Sequence, residues 1–275
     1  MPELPEVETI LRGLVPYILW AKVDQSIIRC KKLRWPIPED LNSCIAGQTI
    51  LELSRRGKYM LFRLETGTLI IHLGMSGRLC FLNNDEPAKK HDHVDIILTQ
   101  NGMLRYTDPR RFGAILWTTE NPAIHPLLSA LGVEPLSEDF TAEYLLRCTS
   151  NRRMAIKPLI MAGKIVVGVG NIYAAEALFL SGINPSLPAN LLTYTQGEKL
   201  VAMIQQVLEF SITQGGTTLK DFVNSDGLPG YFAQKLNVYG RGGLPCVVCT
   251  KALTTCMLGQ RSTVFCAHCQ PEYYP

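Results

Sequence analysis

The sequence lacks several features that mark whole classes of protein. No apolar run is long enough to span a bilayer, and the first residues do not have the basic-then-apolar order of a signal peptide. Internal repeats at domain scale and low-complexity tracts are also missing. Net charge is small, because 27 Lys and Arg residues stand against 24 Asp and Glu. We therefore expect a cytoplasmic globular protein without a membrane span, whose charge permits nucleic-acid binding without requiring it.

The chain changes pattern near residue 120. Its 275 residues, 47% of them hydrophobic, are enough for two domains with real cores. Short strands are predicted at 48–53, 59–64, 68–72, 78–82, 93–99, 103–106 and 113–117. After a linker at 121–126, helices are predicted at 126–131, 142–148, 158–162, 172–181 and 196–214. The pattern favours a β-sandwich with an N-terminal helix packed on it, followed by a helical region.

Four of the nine cysteines form two C-x-x-C pairs near the end of the chain. These residues are Cys246, Cys249, Cys266 and Cys269. Their spacing is typical of a zinc site closed by four thiolates, in which the metal is structural. An odd cysteine total without a secretion signal argues against a disulfide framework. Between the pairs we expect a β-hairpin whose turn includes Arg261, which is either a functional tip or an ordinary solvated arginine.

The N-terminal residues MPELPEVE carry a reactive pattern. Removal of Met1 would free the secondary amine of Pro2, and an α-amino group titrates at about 7.7–8.0 against about 10.4 for lysine. Its attack on a sugar aldehyde carbon gives a cationic iminium directly. Glu3 and Glu6 share one face of the first turn of a predicted helix, where they suit acid/base chemistry. An ordinary acidic helix start has the same composition.

Basic and aromatic residues meet on two predicted turns. The segment YTDPRRFG places Arg110 and Phe112 between strands, where Arg contacts bases or phosphates and Phe wedges into a base stack. Met75 lies on a second loop between glycines, and Lys58 follows Arg55-Arg56-Gly57 at the start of a strand. A core methionine and a solvent-exposed basic turn are the alternatives for these last two residues.

A glycine-containing segment, Gly168-Val169-Gly170, precedes Asn171 and a predicted helix. Glycines let the backbone approach a ligand closely, and a helix N-terminus attracts phosphate. Arg152 and Lys157 add positive charge nearby in the sequence. The segment is not a dinucleotide-binding fingerprint, and a charge run of this kind is usually a solvated face.

Together these motifs resemble the formamidopyrimidine-DNA glycosylases over almost the whole chain. The agreement includes MPELPEVET, the DPRRFG turn, GVGNIY and the final cysteine pairs. The resemblance implies a two-lobed α+β enzyme: an N-terminal β-sandwich that starts with a helix, then a helical domain with a helix–two-turns–helix element and a zinc finger holding one structural Zn²⁺. We expect these parts at 2–120, 121–236 and 237–275. The implied protein is a bacterial monomer that binds duplex DNA containing oxidised purines, with the DNA between the lobes.

The resemblance also implies catalytic roles. Pro2 is the Schiff-base nucleophile at the sugar C1′, Glu3 is the acid/base that assists ring opening, and Glu6 supports the site. Lys58 is a second acid/base near the backbone phosphates. Arg261 grips a phosphate near the lesion and serves as an acid in the second elimination. The implied reaction removes 8-oxoguanine or a formamidopyrimidine and then cuts the strand by β- and δ-elimination.

DNA contacts are implied in the same way. The residues that match DNA-binding positions are Met75, His91, Arg110, Phe112, Arg152, Lys157 and Asn171. Of these, Met75, Arg110 and Phe112 fill the gap left by the flipped nucleotide, and the stretch 216–231 resembles a loop that covers the extruded base. Two other functions stay open: an endonuclease VIII-like glycosylase for oxidised pyrimidines, and a non-catalytic zinc-finger protein that binds nucleic acid.

Overall fold

The computed structural model describes residues 2–83, 86–100, 102–215 and 236–272. The chain divides into two compact units. The first contains the described residues up to Ser129 with Gln214 and Gly215, and the second contains Ala130–Thr213 with the described residues from 236 onward. No helix in these ranges is both long and apolar enough to cross a membrane.

The first unit consists of one long helix, two four-stranded antiparallel sheets and two short helices. Helix α1 is Leu4–Ile18, and the short helices are α2 (Leu41–Ile45) and α3 (Pro126–Ser129). One sheet has the order β1-β6-β7-β5, from β1 (Val23–Ile28), β5 (Arg78–Leu82), β6 (Asp92–Leu98) and β7 (Met103–Thr107). The other has the order β2-β3-β4-β8, from β2 (Glu52–Arg56), β3 (Tyr59–Arg63), β4 (Thr68–His72) and β8 (Ala114–Thr118).

A single hydrophobic core joins these two sheets and α1. Met60 and Ile71 enter it from one sheet, Val94 and Leu104 from the other, and Leu14 from the helix. Each is at most 1% exposed, and burying such a side chain contributes about 1.5–3 kcal/mol. The predicted β-sandwich with an N-terminal helix is therefore confirmed.

The second unit is mainly helical and includes a β-hairpin. Its helices are α4 (Ala142–Thr149), α5 (Ile156–Met161), α6 (Asn171–Ser181) and α7 (Tyr194–Thr213), and the hairpin is β9 (Thr254–Leu258) with β10 (Arg261–Phe265). Helix α6 is buried along nearly its whole length and contacts α5, α7 and β10. It ends at Gly182, whose φ of +71° is the left-handed conformation that glycine adopts at little cost.

Four local features differ from the sequence expectations. Strand β1 and helix α2 were not predicted, and the strand expected at 48–53 begins at Glu52. Residues just before it instead pair with the segment between α1 and β1 and with the first residue of β1; for example, the Ile50 N–H donates to the Ala21 carbonyl at 2.9 Å. In the hairpin, Gly259 and Gln260 alone form the turn, both with positive φ. Arg261 is the first residue of β10, opposite Leu258.

Candidate active site and nucleic-acid interface

The first turn of α1 buries the two carboxylates that follow Pro2. Glu3 is the N-cap and Glu6 the N3 residue of a capping box, and Glu6 Oε2 accepts the Glu3 backbone N–H at 2.8 Å. Glu3 is 2% exposed and Glu6 1%, whereas Pro2 is half-buried. The helix start therefore places two fixed acidic groups directly beside the predicted nucleophile.

Arg55 joins α1 to the turn that carries Lys58. Its Nε donates to Glu8 Oε2 at 2.8 Å, and its Nη1 donates to the Gly57 carbonyl at 3.0 Å. Burial raises the pKa of Glu8, but hydrogen bonds from Arg55 and Arg12 outweigh it and leave that pKa below its usual value. Gly57 has a φ of +58°, which suits the tight turn between β2 and β3. Lys58 thus lies on a turn anchored to the helix that begins after Pro2.

Asp108 ties the DPRRFG turn to the loop of Met75. Its side chain is fully buried; Oδ1 accepts the Ser76 hydroxyl at 2.6 Å and Oδ2 accepts the Gly113 N–H at 2.9 Å. The same Ser76 oxygen accepts the backbone N–H of Arg110 at 3.1 Å. Because one serine contacts both segments, the loop of Met75 and the turn of Arg110 are held in a single arrangement.

The two arginines of this turn have different surroundings. The Arg110 guanidinium lies 4.8 Å from the centre of the Phe112 ring, and Phe112 is 45% exposed. Arg111 has a φ of +56°, which is uncommon for a residue with a side chain, and it lines a separate basic pocket. The exposed Arg110–Phe112 pair offers a cation and an aromatic face, the combination that suits contact with unstacked bases.

His91 and His93 support the DPRRFG turn by hydrogen-bonding the backbone of Asp108. The His91 carbonyl accepts the Asp108 N–H at 3.1 Å, and His93 Nε2 hydrogen-bonds the Asp108 carbonyl at 2.8 Å.

On β4, burial and the nearby Lys58 lower the pKa of His72 to about 4, so this ring is neutral at pH 7. His72 Nδ1 accepts the Gly74 N–H at 3.0 Å, which places the ring proton on Nε2.

In the second unit, Lys157 joins three elements through its ammonium. Nζ donates to Asn171 Oδ1 at 2.7 Å and to Thr263 Oγ1 at 2.8 Å, and the residue is 1% exposed. Asn171 Nδ2 in turn donates to the Ser262 carbonyl at 3.1 Å. Helix α5, the start of α6 and strand β10 are therefore linked. Arg261, the neighbour of Ser262, is exposed at the start of β10.

Arg152 is exposed on a short segment after α4. Its N–H donates to the Thr149 carbonyl at 2.8 Å, and its own carbonyl accepts the Asn190 N–H at 2.9 Å, so the backbone there is fixed on both sides. The predicted lesion-covering loop at 216–231 lies outside the described residues.

The four predicted cysteine ligands form one compact cluster. All four Sγ atoms lie within 4.8 Å of one another, with 3.9 Å from Cys246 to Cys269 and 3.5 Å from Cys249 to Cys266. A tetrahedral zinc site with Zn–S bonds of about 2.3 Å requires sulfur atoms about 3.8 Å apart. Backbone N–H groups of Val248 and Cys269 donate to Cys246 and Cys266 sulfurs, each at 3.4 Å. The cluster can hold one metal ion with four thiolates.

Comparison with known proteins places this arrangement in a family. The sequence model of the formamidopyrimidine-DNA glycosylase N-terminal domain matches residues 1–115, and that of the same family's H2TH domain matches 131–223. The formamidopyrimidine-DNA glycosylase of Stutzerimonas stutzeri is 53% identical over 270 residues, covering 98% of this chain and 100% of the relative. This chain belongs to the formamidopyrimidine-DNA glycosylase family.

Solved structures of glycosylases from this family have the same fold. The MutM (Fpg) protein of Thermus thermophilus matches with a TM-score of 0.88 and 37% identity, covering 99% of this chain and 100% of that one. The Lactococcus lactis Fpg, solved with DNA that contains an abasic site, matches with a TM-score of 0.90 and 32% identity, covering 98% and 100%. The predicted family and fold class are thereby confirmed, while the roles of individual residues stay predictions.

Several residues that organise the site in this glycosylase were not singled out from the sequence. Besides Asp108 and Ser76, the carboxylate of Glu176 on α6 is 4% exposed and accepts the backbone N–H groups of Asn237, Val238 and Tyr239, each at 2.9 Å. A lone acidic residue inside an otherwise apolar helix was the available signal for Glu176, because burying an unpaired carboxylate is costly. An Asp before Pro in a turn was the signal for Asp108.

Proposed function

We propose that this protein is a bifunctional DNA glycosylase and AP lyase of base excision repair. It removes oxidised purines, including 8-oxoguanine and formamidopyrimidines, from duplex DNA and then cuts the strand. The observation that carries the proposal is whole-chain identity of 53% with several formamidopyrimidine-DNA glycosylases, in a chain where Pro2 precedes the buried Glu3 and Glu6. The same relatives favour oxidised purines over the pyrimidine lesions of an endonuclease VIII-like enzyme.

Pro2 acts as the nucleophile once Met1 is removed. Its nitrogen lone pair bonds to the deoxyribose C1′ while the bond from C1′ to the damaged base breaks. Glu3 takes the proton from the Pro2 ammonium and delivers it to O4′, so the C1′–O4′ bond breaks and leaves an iminium between Pro2 and the open sugar. The iminium acidifies the C2′ hydrogen, so the 3′ phosphate and then the 5′ phosphate leave by β- and δ-elimination. The capping bond from Glu6 supports this role because it holds the backbone of Glu3 in place.

Base extrusion is assisted by the two connected loops. Taking a nucleotide out of a duplex costs a few kcal/mol of stacking and pairing free energy. New contacts from protein side chains to the opened site can offset that cost. Met75 and Phe112 fill the vacated space, and Arg110 faces the orphaned cytosine. The hydrogen bonds from Ser76 to Asp108 and from Arg110 to Ser76 support this assignment, because they set both loops before DNA arrives.

Phosphate contacts set the position of the duplex without reading its sequence. His91, Arg152 and Asn171 are the proposed backbone contacts, with Lys58 near the phosphates at the lesion and Arg261 as grip and acid for the second elimination. Lys157 contributes by orienting Asn171, since its ammonium already donates to Asn171 and Thr263 and is almost fully buried.

The cysteine cluster holds one structural Zn²⁺ in this proposal. Cys246, Cys249, Cys266 and Cys269 fit a closed tetrahedral site, so the ion would cross-link the hairpin and supply no open position for chemistry. The enzyme acts as a monomer on duplex DNA, in the bacterial cytoplasm where that DNA lies.

Borohydride trapping tests the nucleophile. The reagent reduces an iminium to a stable amine, so it should join the wild-type protein to a duplex with 8-oxoguanine opposite cytosine. The adduct should be lost in Pro2→Gly and kept in the control Lys22→Ala, which removes an exposed amine. Peptide mapping should place the bond at Pro2, and intact mass should show that Met1 is absent.

Other outcomes would support the other functions. A stronger reaction on an oxidised-pyrimidine duplex indicates an endonuclease VIII-like enzyme. Tight binding with no adduct on either lesion indicates a non-catalytic DNA-binding protein. An adduct that persists unchanged in Pro2→Gly, and that peptide mapping places away from the N-terminus, would show that an internal side chain is the nucleophile.

A further inference from the structure

The first unit contains a basic pocket that the proposed chemistry does not use. Its volume is about 450 Å³. Its cationic lining residues are Arg29, Lys31, Lys32, Lys89, Lys90 and Arg111. They come from three separate segments, namely the chain after β1, the approach to β6 and the DPRRFG turn, and all six are exposed.

The carboxylates near this pocket are already engaged. Asp95 is shared by Arg105 Nε at 2.8 Å and Arg29 Nη2 at 2.5 Å. Asp92, which lines the pocket, accepts the Lys89 backbone N–H at 2.7 Å and lies 3.6 Å from Arg105 Nη1. Within the described ranges, no carboxylate pairs with any of the other five pocket cations. An anion entering the pocket would therefore relieve repulsion among like charges.

The pocket adjoins the turn that carries the proposed wedge. Arg111 stands between Arg110 and Phe112 in the chain, but its left-handed φ directs its side chain to the pocket while its two neighbours stack on each other. Arg111 N–H donates to the Asp108 carbonyl at 3.2 Å, and His93, which bonds that same carbonyl, lines the pocket. The buried Asp108 at the start of this turn thus contacts both the wedge segment and a wall of the pocket.

We propose that this pocket binds backbone phosphates of the duplex beside the base pair opened by the wedge. The proposal rests on the proposed function, since it assumes that DNA occupies the wedge. Several solvent-accessible cations without carboxylate partners suit a polyanion, whose condensed counterions are released when its phosphates are neutralised. Free inorganic phosphate offers the same oxyanion chemistry, so the experiment includes it separately.

The salt dependence of DNA binding tests the pocket. The triple variant Lys31→Ala, Lys32→Ala, Lys90→Ala should make the plot of log affinity against log KCl concentration shallower by about 1–2 units of slope. Affinity for undamaged and 8-oxoguanine duplexes should fall by the same factor, because phosphate contacts carry no base information. The control variant Lys22→Ala, Lys164→Ala, Lys199→Ala removes three exposed lysines elsewhere and should keep the wild-type slope.

Phosphate-ethylation interference locates the contact. Ethylation of the phosphates that enter the pocket should weaken binding of the wild type and not of the triple variant, and Lys→Arg at the same three positions should restore the wild-type pattern. An unchanged slope, or one equally shallow in the control, overturns the proposal. The proposal is also overturned if NMR shows inorganic phosphate bound in the pocket while the salt dependence of DNA affinity is the same in the triple variant and the wild type. Failure of the proposed function is seen separately, as a wild type that binds DNA but yields no borohydride adduct.

Discussion

Individual buried polar residues position the side chains that we propose as DNA contacts. Asp108 serves several partners with one carboxylate, and Lys157 joins Asn171 to Thr263 with one ammonium. A buried charged group that loses such a partner keeps the full free-energy cost of its removal from water. The folded state therefore favours the complete set of these contacts. Residues with no direct part in the chemistry thereby decide where Arg110 and Asn171 lie.

His72 should make the stability of the first unit depend on pH. The unfolded chain binds a proton there near pH 6.5, but burial and the nearby Lys58 and Arg34 delay protonation of the folded protein to about pH 4. Between these values the unfolded state binds more protons, so stability falls as pH falls. The loss between pH 7 and pH 5 should be roughly 2 kcal/mol.

Urea unfolding of wild type and His72→Asn at pH 7 and pH 5 measures this effect. Asn keeps an acceptor for the Gly74 N–H but does not titrate, so the variant should lose less stability on acidification. His125→Asn is the matched control, because His125 Nδ1 also accepts a backbone N–H, from Leu127. Equal pH dependence in wild type and His72→Asn would contradict the assignment.

At the scale of elements, two short loops carry the proposed wedge residues and the two sheets hold those loops. The Met75 loop joins β4 to β5, strands of different sheets, and the DPRRFG turn joins β7 to β8, which also belong to different sheets. A Cβ on Gly74 would lie 2.4 Å from the Phe112 carbonyl carbon, so the two loops touch at their backbones. Their relative position therefore depends on both sheets sharing one core.

Ser76→Ala should uncouple these two loops. Losing the hydrogen bond to the Asp108 carboxylate costs about 1.5–3 kcal/mol, part of which should appear as a roughly 10-fold slower excision of 8-oxoguanine opposite cytosine. Cleavage at a preformed abasic site needs less support for base extrusion and should fall much less. Single-turnover rates on the two duplexes measure the difference.

Controls separate this effect from general destabilisation. Ser43→Ala alters an exposed serine on α2 and should leave both rates at the wild-type level. Ser76→Thr keeps a hydroxyl and should recover much of the excision rate. If Ser76→Ala slows both reactions equally and lowers the melting temperature, the serine only supports folding.

On the scale of the whole molecule, the two compact units depend on different interactions. The first has a continuous apolar core of its own. In the second, a smaller core joins Ala175 and Phe179 of α6 to Leu253 and Val264 of the hairpin region, and includes Cys246 and Cys266. Because two of the four cysteines of the proposed zinc site are part of that core, metal binding and the packing of α6 should be linked.

Metal removal should therefore affect one unit selectively. A zinc chelator, or Cys269→Ser, should lower the thermal transition followed by far-UV circular dichroism, since most of the helices lie in the second unit. The three tryptophans, at positions 20, 35 and 117, all lie in the first unit, so the thermal transition followed by their fluorescence should stay at its wild-type temperature. Cys256→Ser, outside the cluster, is the control and should keep one zinc per chain. A fluorescence transition that moves with the dichroism would contradict this separation.

The sequence alone determined the family, the α+β class, the four-cysteine cluster and a candidate nucleophile. Each of these depends on residue types at fixed, short spacing, such as Pro2-Glu3 or the two C-x-x-C pairs, and chemistry requires that spacing whatever the rest of the chain does. The hairpin from β6 to β7 was also predictable, because its turn residues stand between two apolar segments.

Only the tertiary structure decided which distant side chains meet. Lys157 contacts Thr263 across 106 positions, Ser76 contacts Asp108 across 32, and three segments combine to form the basic pocket. Strand β1 was missed because it pairs with β6, which lies far along the chain, and no turn sequence next to β1 marks that pairing. Burial and hydrogen-bond partners are properties of the packed chain, which sequence alone does not give. Lys157, which the sequence suggests as a DNA contact, is therefore found buried, with its ammonium hydrogen-bonded to Asn171 and Thr263.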